Sequence, residues 1–173
     1  MADLIRFLDG GAIEGLAEES GVTAREIVAN LPTQARCFVS AKKFMQVMDD
    51  IAGWGEVSVV LRTGDGVVEF ISTLPKGDVA HGYFRLLGEG RIRAHLRYEN
   101  CAAVAFVERP FMGRPSAAVL FFDREGKIMF KICVARDADG ALHDDQLKSF
   151  RALAARLTPS TGGKTRTRRK KHD

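Results

Sequence analysis

VSVVLRTGDGVVEFIS, residues 57–72, is the stretch at which the chain changes period. Val57–Arg62 and Val67–Ser72 are rich in β-branched and apolar residues, and the link Thr63-Gly64-Asp65-Gly66 is built of turn formers. So short a link cannot hold a crossover helix, so the two runs read as an antiparallel hairpin. The same pattern continues downstream. Gly82–Leu87 and Arg91–Arg97 flank Gly88-Glu89-Gly90, and Ala102–Arg109 is followed by Ala117–Asp123. The turn Asp123-Arg124-Glu125-Gly126 then leads into Ile128–Val134. Residues 54–135 therefore predict one large antiparallel sheet.

Upstream of Trp54 the period is helical. Ala12–Ser20 stops at Gly21, and Thr23 opens a second helix with Glu26 placed for a capping box. Ile27, Val28 and Leu31 mark its core side, and Pro32 ends it. After a short extended link, Ser40 caps a third helix that lines up Phe44, Val47, Met48 and Ile51 and stops at Gly53. The last helix, Asp144–Leu157, aligns Leu147, Phe150, Leu153, Ala154 and Leu157, with Asp144 and Asp145 at its positive end. This order of elements is that of an α+β domain over residues 1–158, with helices in 1–53, the sheet in 54–135 and a helix at 144–157.

The chain has 173 residues, 46% hydrophobic and 28% charged, the make-up of a soluble globular domain. The net charge of +4 is misleading, because KTRTRRKKHD at the C-terminus holds six basic residues and one acidic one. Without it, 20 basic and 21 acidic residues remain. Residues 159–173 read as a solvated, disordered basic tail, and nucleic acid is disfavoured as a partner. No apolar run approaches the roughly 18 residues that span a bilayer. The N-terminus, MADLIRFLDGGAIEG, is too acidic and too broken by glycine for a secretory signal. A cytoplasmic protein without membrane contact is expected. Cys37, Cys101 and Cys133 lack metal or disulfide spacing and read as free thiols.

Catalytic signatures are missing: there is no HExxH, GxSxG, P-loop or GxGxxG after a strand. Ser40-Ala41-Lys42-Lys43 matches a loose SxxK pattern, but Ser40 is placed as a helix cap. GLAEESGVTAREIVANL has the outline of a helix-turn-helix, yet its second helix offers only Arg25 and Asn30 for base contacts. Helix packing is the simpler reading.

The chemically informative segment is HGYFRLLGEGRIRAHLRY, His81–Tyr98. At period two, Arg91, Arg93, His95 and Arg97 share one face of its second strand. If Gly88-Glu89-Gly90 is a three-residue loop, Leu87 faces Arg91, Arg85 faces Arg93 and Tyr83 faces His95. An iron porphyrin needs an axial donor, which imidazole or phenolate provides, and planar guanidinium groups suit its two propionates. The competing structural reading is a solvated sheet face that happens to carry a histidine.

A series of motifs adds to this. NLP (30–32), WGEV (54–57), LPKG (74–77), HGYF (81–84), ENC (99–101), FVERPFMG (106–113) and LFFDREGKIMFKICVARD (120–137) occur in this order. Together they resemble the HutX/ChuX family of intracellular haem-utilisation proteins, from about Gly11 to Leu157. The resemblance implies one half-unit of the HemS-like fold, with helices flanking a large curved antiparallel sheet. It implies a homodimer, haem as transported ligand, and delivery to a downstream haem-processing protein. His95 matches a histidine proposed as axial ligand in some members, and Tyr83 lies in HGYF, whose tyrosine is proposed in others. Arg62 stands where some members have a histidine, which argues against bis-histidine ligation and leaves Arg62 as either a propionate contact or a structural surface arginine. The haem-binding set is thus His95, Tyr83, Arg93, Arg85 and Arg62, with His95 and Tyr83 as alternative ligands to the iron. Phe106, Phe111 and Met112 are either apolar wall for the macrocycle or packing residues. The expected function is a carrier without catalytic residues. A haem-degrading or product-processing enzyme is the alternative, and a helix-turn-helix regulator a further one.

Overall fold

The computed structural model describes residues 11–88 and 92–159. The basic tail from residue 160, His172 within it, and part of the Gly88-Glu89-Gly90 loop lie outside the described residues. Four α-helices are described: α1 (Ile13–Ser20), α2 (Ala24–Ala29), α3 (Phe44–Ile51) and α4 (Asp144–Leu157). The strands are β1 (Arg36–Ser40), β2 (Glu56–Thr63), β3 (Gly66–Thr73), β4 (Asp78–Ala80) and β5 (Tyr83–Leu87), then β6 (Arg93–Leu96), β7 (Ala103–Glu108), β8 (Ala117–Phe122) and β9 (Ile128–Cys133). All pairings are antiparallel, as the short links require.

Two features depart from the sequence reading. The strands form two sheets, a six-stranded one in the order β1-β7-β8-β9-β2-β3 and a three-stranded one, β4-β5-β6. The link before α3 is also not a bare connection, because β1 pairs along its whole length with β7 and edges the large sheet. Five residues are too few for a clear period, and the partner lies some seventy positions away, so the pairing has no local signature. Ser40 caps as expected, one turn early: its hydroxyl accepts from the Lys42 N–H of a 3-10 turn, Ala41–Lys43, that runs into α3.

The large sheet is covered on both faces except along β3 and the end of β2. Ala103, Ala105, Val107, Ala118, Leu120 and Phe122 meet Ile13, Ala17, Ile27, Val28 and Leu31 of α1, α2 and the turn after them. Alanine at three of these positions lets the helices approach closely. Thr23 and Glu26 form the full capping box, and Gly126 of the β8–β9 turn accepts a hydrogen bond from the Arg25 N–H. The start of α2, which a helix-turn-helix would insert into a groove, is thereby docked against its own sheet.

On the opposite face lie Val57, Val59, Val104, Phe106, Val119, Phe121, Phe130 and Ile132, covered by α3, α4 and the small sheet. Phe44 is the centre of this layer. Its ring stands edge-on to Phe84 of β5 at 5.4 Å and to Phe121 of β8 at 5.3 Å, while Phe121 stacks on Phe130 at 4.3 Å. Gln146 of α4 is buried and fully bonded: its Oε1 accepts from the Ala135 N–H, and its Nε2 donates to the Trp54 and Glu56 carbonyls. That satisfied amide ties the C-terminal helix to the start of β2. Cys101 and Cys133 are free thiols whose burial pushes their pKa up to about 11, as expected of thiols packed as small hydrophobes.

Gly77 of LPKG lies directly against the Phe84 ring; a Cβ there would stand 2.1 Å from Phe84 Cζ. Phe84 is fully enclosed and cannot swing away. Gly77→Ala is therefore expected to cost about 1–3 kcal/mol through overpacking, whereas Gly15→Ala, in α1 with nothing within 4 Å of the added atom, should gain roughly 0.5–1 kcal/mol. Urea unfolding of the two variants checks the opposite signs.

Candidate functional site

Burial of Phe84 and Leu86 against the Phe44 layer fixes which way β5 faces. Because side chains alternate, Tyr83, Arg85 and Leu87 must point outward. On β6, Ala94 and Leu96 pack inward, so Arg93, His95 and Arg97 join the same outer face. The site is this outer surface of the three-stranded sheet.

The pairing register differs from the one expected. Leu87 faces Arg93, Arg85 faces His95, and Phe84 faces Leu96, so Tyr83 is not directly opposite His95. The link between the paired ends is five residues long, 88–92, rather than three, and its last residue, Ile92, is buried in the core. The slip is by two positions. An even slip keeps every side chain on its face, whereas a slip of one would have turned the site inward. Tyr83 and His95 thus remain diagonal neighbours, their rings edge-to-face with centroids 6.2 Å apart.

The arginines are not equivalent. Arg85 is held by Asp78 of β4 in a two-pronged pair, Nε to Oδ1 at 2.9 Å and Nη2 to Oδ2 at 2.7 Å. The hydrogen bond from Arg85 holds the Asp78 carboxyl below the usual aspartate range and raises the guanidinium's own pKa. Arg97 donates from Nε to Tyr83 Oη at 3.3 Å and lies over the same ring at 5.6 Å. Arg93 is exposed and, among the described residues, has no hydrogen-bond or ion-pair partner.

Arg62 is elsewhere. It alternates with Val59 on β2, so it projects from the face that carries α1, where its guanidinium lies 3.8 Å from Glu18. Four of the five expected site residues share one surface; Arg62 is on the far side of the large sheet. The apolar candidates also separate. Phe106 is core, packed on Phe150 at 5.2 Å, while Phe111 and Met112 sit exposed at a hairpin tip where Met112 has φ 49. His81 (φ 53) and Gly82 (φ 79) are the two central residues of the β4–β5 turn, in the left-handed conformation such tight hairpins demand. His143 is the residue before α4 and makes no side-chain cap bond.

Asp78 has no signal in the sequence, since β4 is only three residues long and Asp78 has no partner until β5 is placed beside it. Period two places Arg97 on this face, but its contact with Tyr83 follows only from the observed register.

A model of the ChuX/HutX haem-utilisation family matches residues 37–153. This chain belongs to that family. The intracellular haem transport protein HutX of Vibrio cholerae serotype O1 is 34% identical over 139 residues, covering 80% of this chain and 72% of the relative. The solved structure of the haem-binding protein ChuX shares 37% identity at a TM-score of 0.82, covering 90% of this chain and 97% of ChuX. The haem-degrading enzyme ChuS of Escherichia coli O157:H7 is only 15% identical but has the same fold, with a TM-score of 0.72. There, 91% of this chain corresponds to 47% of ChuS, so the fold of this chain matches about half of that protein. Among the described residues no helix is long and apolar enough to cross a membrane.

The Asp78–Arg85 pair has a definite pH signature. Asp78 is stabilised in its charged form only when folded, so the stability it contributes is present above the unfolded aspartate value of about 3.9 and is lost as the pH falls through the lower folded value. Wild type is expected to be more stable than Asp78→Asn at neutral pH, with the difference closing on acidification. Paired urea titrations across that range measure it.

Proposed function

We propose that this chain binds haem on the outer face of its three-stranded sheet, carries it inside the cell and passes it to a downstream haem-processing protein. The observation that carries this reading is the Tyr83–His95 pair, a phenol and an imidazole in ring contact on a surface that also presents Arg93 and Arg97. Either aromatic group is a suitable axial donor to haem iron. Arg93 is available to a propionate, and Arg85 becomes so by exchanging the Asp78 carboxylate for the haem's own. Arg62 takes no part in a site built from a single chain. Haem transport in the HutX relative and haem binding in ChuX support the same ligand class.

A homodimer is part of the proposal. β3 is an edge strand of the large sheet, and it exposes Val67, Val68 and Ile71 at 57–64%. An open apolar edge of this kind is normally covered, and a second copy of the chain is the occupant we favour. The carrier role rests on binding alone, and the chain is assigned no catalytic residue.

Haemin titration of the full chain tests the function. A saturable Soret band at one haem per chain is expected. Tyr83→Phe and His95→Ala should each weaken or reshape the band, and the double variant should leave the iron without a protein ligand. Absence of any band in the wild type would sink the proposal. Bleaching of the bound haem by a reductant and oxygen, with bile-pigment-like products, would replace the carrier with an enzyme. Light scattering of the same samples reports whether the chain is a dimer.

A further inference from the structure

We propose that Arg97 is the positioning residue that makes Tyr83, rather than His95, the resting ligand to ferric haem iron, an inference that rests on the haem-binding reading above. Three contacts carry it. Arg97 Nε donates to the Tyr83 phenolic oxygen at 3.3 Å, and its guanidinium carbon lies 5.6 Å from the centre of the same ring. His95 meets the ring edge-to-face at 6.2 Å. One guanidinium thus holds both the ring and its oxygen, while the imidazole limits the ring's freedom to tilt.

Chemistry gives this arrangement a direction. When the phenol coordinates ferric iron, the O–H bond breaks, an O–Fe bond forms and the proton leaves to solvent. The bound oxygen is then anionic, and a permanently charged guanidinium already donating to it compensates that charge without reorganisation. His95 has no such fixed support: among the described residues its ring contact with Tyr83 is the one side-chain interaction found for it. The remaining guanidiniums differ from Arg97 in kind. Arg85 is engaged by Asp78, and Arg93 touches neither aromatic ring among the described residues. Arg97 is therefore assigned to the ligand, and Arg93 is left for the haem's carboxylates.

The test uses the full chain loaded with ferric haemin, comparing wild type, Arg97→Met, Arg97→Lys, Tyr83→Phe and the Tyr83→Phe/Arg97→Met double variant. Resonance Raman and electron paramagnetic resonance identify the ligand, and transfer to apomyoglobin gives the rate of haem loss. Wild type should show a phenolate–iron signature. Arg97→Met should lose it in favour of imidazole ligation and release haem about tenfold faster, the scale of one lost charge-assisted hydrogen bond. Arg97→Lys should restore part of the signature, and Arg97→Met should add nothing once Tyr83 is phenylalanine. Because Arg97 is exposed and Tyr83→Phe removes only a hydroxyl from a half-buried ring, urea midpoints of all variants should match wild type. An unchanged signature in Arg97→Met overturns the inference, as does an equal effect of that substitution with and without Tyr83. Wild-type haem bound through imidazole alone would overturn this inference while leaving the carrier standing; no haem uptake at all would overturn both.

Discussion

The fold turns on the insertion of Phe84 between Phe44 and Gly77. The three-stranded sheet has only a few residues per strand, too few to be stable by itself in water. It persists because Phe84 and Leu86 are drawn into the layer built on the large sheet, where Phe44, Phe121 and Phe130 form a continuous aromatic cluster. Burying a ring of this size is worth about 1.5–3 kcal/mol before the edge-to-face contact is counted. The absence of a side chain at Gly77 is what lets the ring seat. Once Phe84 points in, Tyr83 and Arg85 have no choice but to point out.

The candidate site is therefore a by-product of core packing, and its rigidity is borrowed from the core. A surface pair such as Tyr83 and His95 would ordinarily sample many rotamers. Here the backbone carrying Tyr83 is held by the adjacent buried ring, and the tight His81-Gly82 turn fixes the strand from the other side. The charged residues add order of a different kind. Asp78 clamps Arg85, and Arg97 covers Tyr83, so the outer face carries one neutralised arginine, one engaged with an aromatic ligand candidate and one without a partner among the described residues. Planar guanidinium groups suit all three tasks, which explains why a single residue type recurs around the site.

The other side of the large sheet shows the opposite economy. Its small residues bring α1 and α2 close, and the ion pair between Glu14 and Lys131, 2.7 Å apart, lies at their margin. Arg62 belongs to that margin through Glu18. The motif resemblance implies a propionate contact for Arg62, whereas the pleat of β2 turns it toward α1.

The element types, the antiparallel pairing, the family and the core faces of the helices were legible in the sequence, since each depends on short-range periodicity, turn chemistry or contiguous motifs. Also legible was the outward face shared by Tyr83, His95 and the arginines, because alternation survives a slip of two residues. The features hidden from the sequence were long-range or count-dependent. The pairing of β1 with β7, the separation of the small sheet from the large one, and the Asp78–Arg85 clamp each join segments whose partners are set by packing rather than by local preference. The register of β5 on β6 depended on the length of the link, which runs from 88 to 92 rather than ending at Gly90. With that register Arg97 comes to rest on Tyr83, and His95 lies diagonal to it.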